Sequence, residues 1–213
     1  TRMIQDVCMQ PVEADGMIFD PQSVVAEVIK EEADYEGVHV SFLGFLGRTK
    51  IHMRLDVGFA DVVTPSPNEL ELPTIFENMG KPCLRIYPPE TVISEKFQAM
   101  VTLGIINSRM KDFYDIWFLA QSMELDFRTL NEAIINTFTQ RRTDVPKDLP
   151  TALTSKFAEQ KQVLWFAFLK KNQIEHAPTE LSTVIQVLCK FFDPWVNLSA
   201  KPLTRWSPEI GWE

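Results

Sequence analysis

The sequence has 213 residues, of which 45% are hydrophobic and 23% charged, which is typical of a globular protein with a real core and excludes long disorder. Its formal net charge of −8 argues against a protein that binds nucleic acid over its whole surface, although a small local basic patch is compatible with this charge. The three cysteines have neither disulfide-framework nor zinc spacing, and no apolar run approaches the length of about 18 residues that spans a bilayer, so we expect a soluble, cytoplasmic protein.

The first predicted elements lead into a β-hairpin. Residues 22–34 are compatible with a short helix or a strand, and residues 38–42 then alternate between apolar and polar side chains. After a polar turn at residues 47–50, the return strand spans residues 51–59. Because side chains alternate across a strand, Asp56 lies on the polar face of this strand. Two further polar residues share that face, His52 and Arg54.

Loop signals cluster between residues 61 and 89, where prolines recur at short intervals. This cluster predicts a boundary between a sheet-bearing domain, residues 1–88, and a helical domain, residues 89–213. Asp61, at the start of the cluster, is assigned to the loop and not to the polar face of the strand.

Five helices are expected after this boundary. The first runs from Pro88-Pro89-Glu90 to Gly104, because proline favours the first turn and glycine the end of a helix. The second spans residues 108–123, and the third opens with Thr129-Leu130-Asn131-Glu132, a capping-box sequence. The last two cover residues 157–169 and 181–192, which repeat apolar residues at helical spacing.

The segments between and after these helices carry few signals. The basic pairs Arg141-Arg142 and Lys170-Lys171 are interpreted as solvated helix ends. The tail from Lys201 contains proline and tryptophan and is predicted to be irregular, with Trp206 and Trp212 exposed.

Lys96 is the least ordinary residue of the first predicted helix, because it lies in the middle of its apolar stripe. The solvent side of that helix is assigned to Ser94, Glu95 and Gln98. A buried ammonium needs an anionic partner or a route to water. Two interpretations remain open: a lysine whose stem covers apolar surface while its head reaches solvent, or a lysine that faces a phosphate chain.

The next helix also places charges, Arg109 and Asp112, among apolar residues. These two residues are three apart and can pair with each other. Alternatively, Arg109 and Lys96 both face a phosphate chain, while Asp112 orients one of these two basic side chains or accepts a hydrogen bond from a substrate. Lys111 and Asp115 are four apart and look like a surface ion pair, with Asp115 as a further candidate for the site.

Phosphoryl and nucleotidyl transfer usually needs two or three carboxylates that hold Mg²⁺, and Asp56 supplies one on the polar face of its strand. The motifs of other common chemistries are absent from the sequence, including the Walker A loop, the G-x-G-x-x-G fingerprint, the G-x-S-x-G elbow and H-E-x-x-H.

Three stretches together resemble the nucleotidyltransferase toxins of the AbiEii/AbiGii family. Residues 87–100 match the E-K-x-x-A helix of the family, residues 107–115 match its R-x-K-D-x-x-D helix, and residues 55–61 look like the strand that bears its third acid. The resemblance implies an α+β chain with a polymerase-β-like nucleotidyltransferase mixed sheet and an appended C-terminal helical bundle. It also implies a bacterial toxin–antitoxin or phage-defence protein that uses an NTP with Mg²⁺ (or Mn²⁺), has tRNA as one known type of acceptor, and has a cognate antitoxin.

The same resemblance implies the residue roles. Asp56 would bind the metal, Lys96 would meet the triphosphate, Arg109 would support the phosphates, and Asp112 would be the essential acid of the last motif. The first motif of the family, a Gly-Ser turn followed by D-x-D, is not found upstream of Asp56, so we expect either that it precedes Thr1 in the natural protein or that this member has lost it.

Two other functions remain open beside nucleotidyl transfer. The first is a non-catalytic relative or fragment that acts by binding a partner such as an antitoxin. The second is a tRNA-binding helical module that would use the basic pairs together with Trp206 and Trp212.

Overall fold

The structure, a computed structural model, describes residues 1–12, 14–30, 36–59, 62–74, 80–197 and 202–213. The chain divides into two compact units, Thr1–Asp61 and Val62–Glu213, and each is described by itself. After one short helix, an antiparallel sheet follows along the chain and helices dominate the rest, so the prediction of an α+β fold is confirmed. The predicted domain boundary between residues 88 and 89 stays a prediction.

The first unit contains a short helix and a three-stranded antiparallel sheet. Helix α1 (Arg2–Cys8) precedes strands β1 (Met17–Lys30), β2 (Glu36–Leu46) and β3 (Thr49–Gly58), which lie in the order β1-β2-β3. The hairpin of β2 and β3 is confirmed, and its turn contains Gly47 at φ 59°, a conformation that costs glycine little. Residues 22–30 are strand, and residues 31–34 lie outside the described residues.

The two faces of this sheet differ in character. Val24, Val40 and Phe42 are buried on one face, where Ile4 and Cys8 of α1 pack against them. Asp56 lies on the other face, opposite its register partner His39 of β2. The predicted polar face of the return strand is therefore confirmed, while Asp61 lies outside the described residues.

The second unit contains each of the five predicted helices. Its helices are α2 (Pro89–Leu103), α3 (Met110–Ser122), α4 (Phe127–Gln140), α5 (Ser155–Lys171) and α6 (Leu181–Val196). Its strands are β4 (Asn68–Glu71), β5 (Cys83–Ile86), β6 (Leu125–Asp126), β7 (Arg205–Ser207) and β8 (Gly211–Trp212). Among the helices of the described ranges, none combines the length and apolarity that a membrane crossing needs.

Phenylalanine rings form the centre of this unit. Phe97 of α2 is fully buried and stacks on Phe192 of α6 with ring centroids 3.9 Å apart, and Phe113 of α3 stacks on Phe157 of α5 at 5.2 Å. Each ring joins two helices, so the apolar faces of α2, α3, α5 and α6 converge on one core. That core fixes the positions of the polar residues on the same helices.

The capping-box prediction at Thr129 is wrong. Helix α4 begins two residues earlier, and its N-cap is Asp126, whose Oδ2 accepts from Thr129 N at 2.8 Å and from Thr129 Oγ1 at 2.7 Å. The two hydrogen bonds from Thr129 lower the pKa of Asp126. An aspartate caps the backbone N–H of the third helical residue at least as well as a threonine does, and local sequence does not show which of the two is the cap.

The prediction of an irregular tail with exposed tryptophans is also wrong. Strands β7 and β8 form a small antiparallel sheet with β6. Trp206 is only 4% exposed and donates its indole N–H to the carbonyl of Ala120, while Trp212 is partly buried and donates to the carbonyl of Phe191. Pairing with residues about 80 positions earlier leaves no periodic trace in a short segment. The tRNA-binding module therefore loses its two tryptophans.

Candidate functional site

Helices α2 and α3 bring Lys96, Asp112 and Asp115 together. Lys96 Nζ lies 2.7 Å from Asp112 Oδ1 and 2.9 Å from Asp115 Oδ2. Asp115 Oδ2 also lies 2.5 Å from Lys111 Nζ on the same helix. We call these four residues the Lys96 ion cluster. Of the two requirements stated as alternatives for a buried ammonium, an anionic partner or a route to water, Lys96 meets the first. The predicted pair of Lys111 and Asp115 is confirmed, but Asp115 is only 19% exposed and so is not a surface residue.

The connection between α2 and α3 places the two aspartates opposite the lysine. Gly104 ends α2 at φ 49°, and a 3-10 turn, Gly104–Ile106, reverses the chain. Asn107 then accepts from Arg109 N through Oδ1 at 2.8 Å, which fixes the entry to α3. Because Asp112 and Asp115 are three residues apart, they point from the same side of α3.

Three of the four residues of the Lys96 ion cluster are largely shielded from water, and only Lys111 is mostly exposed. The side chains of Lys96, Asp112 and Asp115 are 20%, 12% and 19% exposed. Burial by itself lowers the pKa of Lys96, but the hydrogen bonds and charges of Asp112 and Asp115 outweigh it, and the pKa is raised above its usual value. Lys96 therefore carries a fixed positive charge at neutral pH, and the two lysines balance the two aspartates.

Arg109 does not lie among the apolar residues of α3. It is exposed and occupies the N-cap position with ψ 69°, outside the helical range. The expectation that Arg109 is buried is wrong because the helix begins one residue later, so the helical wheel does not apply to it. Asp112 is buried and pairs with Lys96.

Asp56 belongs to the first unit, and its surroundings are those of the sheet. Its Oδ1 lies 2.5 Å from His39 Nδ1, and its side chain is 73% exposed. His52 is exposed on the same face of β3, as predicted for a strand-surface histidine. Within the described ranges, no three or more His, Cys, Asp or Glu side chains are grouped so that they could hold a metal ion. Asp56 as a metal ligand stays a prediction.

A buried polar network between α2 and α4 was missed by sequence reasoning. Ser94 is fully buried, and its Oγ lies 2.8 Å from Thr137 Oγ1. Gln98 is 7% exposed and donates to Thr143 Oγ1 at 2.9 Å. The assignment of Ser94 and Gln98 to the solvent side is wrong, because a polar helix interface and a solvated face look alike on a helical wheel.

The basic pairs lie at helix ends, as predicted, but Arg141 also contacts side chains of α2. Lys170 and Lys171 occupy the exposed last turn of α5. Arg141 follows α4 directly, donates to Gln98 Oε1 at 3.1 Å and lies 3.9 Å from Glu95 Oε2. It therefore extends the polar network of α2 and α4.

The comparisons with known proteins gave one match. A protein-family model described as the nucleotidyl transferase AbiEii toxin of the type IV toxin–antitoxin system matches residues 2–187. No curated protein and no solved structure was found to match the chain. The matched stretch contains β3 with Asp56 and the whole Lys96 ion cluster.

Proposed function

The chain belongs to the AbiEii family of nucleotidyl transferase toxins of type IV toxin–antitoxin systems, and from this premise we propose that it transfers a nucleotide from an NTP to an acceptor such as tRNA. The family membership confirms the resemblance drawn from the E-K-x-x-A and R-x-K-D-x-x-D motifs. It also implies an NTP as the substrate and an antitoxin as the counterpart of the toxin. A role in phage defence and a polymerase-β-like sheet are parts of the proposal.

The Lys96 ion cluster is the observation that supports this function best. An ammonium has three N–H donors. Within the described part of the chain, two carboxylates lie within hydrogen-bond distance of Lys96 Nζ, which leaves one donor for a substrate oxygen. Because the raised pKa keeps the lysine charged and the aspartates fix its position, the group is suited to meet a triphosphate without reorganising.

The neighbouring residues take supporting roles in the proposal. Arg109 is exposed at the start of α3, three residues before Asp112, and its guanidinium would support the phosphates. Asp112 would be the essential acid because it holds Lys96 in place.

Asp56 would bind Mg²⁺ or Mn²⁺. Its carboxylate is exposed on the polar face of β3, and Mg²⁺ in nucleotide sites is commonly held by one or two carboxylates together with phosphate oxygens and water. The ion would neutralise charge that develops on the attacking and leaving oxygens.

Calorimetric titration of NTP in the presence of Mg²⁺ tests the assignment of Lys96. We expect Lys96→Met to weaken NTP binding at least about tenfold, and Lys96→Arg to keep part of it, because a charged hydrogen bond to phosphate is worth about 1.5–3 kcal/mol. Lys111→Met is the matched control, since it removes an exposed lysine from the same cluster. Each variant is checked for folding by circular dichroism, and equal binding by the wild type and Lys96→Met would contradict the role of the lysine.

A second experiment tests the transfer itself. The protein is incubated with each labelled NTP, Mg²⁺ and total tRNA, and labelled RNA is separated on a denaturing gel. Label in the RNA that disappears with Lys96→Met is the expected result. NTP binding without any labelled product under Mg²⁺ or Mn²⁺ would instead favour the alternative, a non-catalytic relative that acts by binding a partner.

A further inference from the structure

Five aromatic side chains form a cluster on the outer side of α3, next to α5. We call it the α3 aromatic patch, and it comprises Tyr114, Trp117, Phe118, Phe168 and His176. The His176 ring centroid lies 5.9 Å from that of Tyr114, 6.5 Å from that of Trp117 and 6.1 Å from that of Phe118. Tyr114 Oη and His176 Nε2 are hydrogen-bonded at 2.7 Å, which fixes the relative orientation of the two rings.

Packing explains part of the patch but not all of it. Tyr114, Trp117 and Phe168 are partly buried and support the loop that carries His176. Phe118, in contrast, is 45% exposed, and His176 is exposed as well. Phe118 and Tyr114 stack with ring centroids 6.0 Å apart, so the exposed ring is backed by a second ring. A rigid, supported aromatic face that remains open to solvent is suited to stacking a flat ligand.

The patch adjoins the Lys96 ion cluster along α3. Phe118 follows Asp115 by three residues, which corresponds to about 4.5 Å along the helix axis and to the same side of the helix. Lys111 precedes Tyr114 by three residues and is equally close to the patch. A ligand stacked on Phe118 would therefore lie within about one helical turn of the site proposed for the triphosphate.

Lysines lie near the patch on two helices. Lys111 on α3 has a side chain that is 71% exposed. On α5, Lys171 follows Phe168 by three residues and so shares its side of the helix, and Lys170 is exposed beside it. Glu175 is an exposed acid next to His176 and acts against this positive charge. Aromatic faces with lysines spaced along them are the combination that binds single-stranded nucleic acid.

We propose that the α3 aromatic patch holds the unpaired end of the acceptor RNA by stacking one of its bases on Phe118, while Lys111, Lys170 and Lys171 contact the phosphates. This inference rests on the proposed nucleotidyl transfer and names the surface that presents the acceptor. A polynucleotide carries a phosphate on each side of a stacked base and so fits lysines on two helices. An NTP carries all its phosphates on one side of the base, and the Lys96 ion cluster is already proposed to bind them.

Binding of a fluorescein-labelled, unstructured RNA of twelve nucleotides, measured by anisotropy, tests the inference. Phe118→Leu keeps the apolar volume and removes the aromatic face, and it should weaken binding about fivefold or more, since stacking of one base on an aromatic side chain is worth that factor or above. Phe118→Trp should retain wild-type affinity. Phe166→Leu is the matched control, because Phe166 is 58% exposed on α5 and takes no part in the patch.

The outcomes separate this inference from the proposed function. Weaker RNA binding by Phe118→Leu, with unchanged NTP binding in calorimetry and recovery in Phe118→Trp, supports the patch as the acceptor surface, whether or not label is transferred. Equal affinities of Phe118→Leu and Phe166→Leu for the RNA, or no RNA binding by the wild type, would overturn it. If Phe118→Leu loses NTP binding but keeps RNA binding, the patch holds the base of the NTP, and the assignment to the acceptor RNA is overturned as well. Absence of nucleotide transfer by the wild type, with RNA binding intact, counts against the proposed function alone.

Discussion

Replacing Lys96 by methionine is expected to destabilise the second unit strongly, even though methionine has nearly the same volume. The change removes two hydrogen bonds between charged groups and leaves Asp112 and Asp115, which are 12% and 19% exposed, without their shared ammonium. Removing one partner of a fully buried ion pair costs about 3–5 kcal/mol, and because the cluster keeps some contact with water we expect the lower end, about 3 kcal/mol.

The two aspartates allow a sharper form of this prediction. In Asp112→Asn, Lys96 keeps Asp115 at 2.9 Å, so we expect a loss of only about 1.5 kcal/mol. The double variant Lys96→Met/Asp112→Asn should lose about 2 kcal/mol, well below the sum of the single losses, because the second change removes a carboxylate that the first leaves unpaired. Lys111→Met should cost at most about 0.5 kcal/mol, since Lys111 itself is 71% exposed and Asp115 keeps Lys96 as its partner.

Urea denaturation followed by tryptophan fluorescence measures these free energies of unfolding. The pKa of Lys96 is raised in the folded protein, so the contribution of its charge is fully present below the unfolded pKa of about 10.5 and is lost only as the pH rises through the higher folded value. The difference between the wild type and Lys96→Met should therefore stay constant from about pH 6 to pH 9. A loss in Lys96→Met no larger than that in Lys111→Met, or additive losses in the double variant, would refute the description of a coupled, shielded cluster.

Three further predictions concern the cap of α4, the core and the cysteines. Asp126→Ala should lower the free energy of unfolding by about 1 kcal/mol in urea denaturation, and Asp126→Asn by less. Since the pKa of Asp126 is lowered in the folded protein, the stabilisation by its charge should be present above about pH 4 and fade as the pH falls through the folded value. Equal stability of Asp126→Ala and Asp126→Asn at pH 7 would contradict the cap. Phe97→Ala should cost about 3–5 kcal/mol and Phe97→Leu clearly less, because Phe97 is fully buried; similar Tm values of the wild type and Phe97→Ala would contradict its central place. Cys83 is exposed and should react first with a thiol reagent, whereas burial raises the pKa of Cys189 and slows the reaction of its thiol. An unchanged fast reaction phase in Cys83→Ser would show this order to be wrong.

The predictions that were confirmed rest on local periodicity. Helices α2 to α6 and the hairpin of β2 and β3 repeat apolar residues at helical or strand spacing, and such spacing is visible in any short window of sequence. The need of Lys96 for either an anionic partner or a route to water was also predictable, because a cation within an apolar stripe is costly wherever the rest of the chain lies.

The predictions that were wrong depend on what an element packs against. Ser94 faces Thr137 of α4, Gln98 faces Thr143 just beyond the end of α4, and Trp206 is covered because its strand pairs with β6. A helical wheel shows that these side chains share a face but does not show whether water or another polar surface covers it. The prediction that Arg109 lies among apolar residues of α3 was wrong for a different reason, since a shift of one residue at a helix start moves a side chain out of the helix.

By itself, the sequence determined that two neighbouring helices carry charges among apolar residues and that their motifs match those of nucleotidyl transferases. Only the tertiary structure decided that Lys96 takes both Asp112 and Asp115 as partners. The physical reason is that spacing along one helix fixes which side chains share a face, whereas the distance between charges on two helices is set by the packing of their common core.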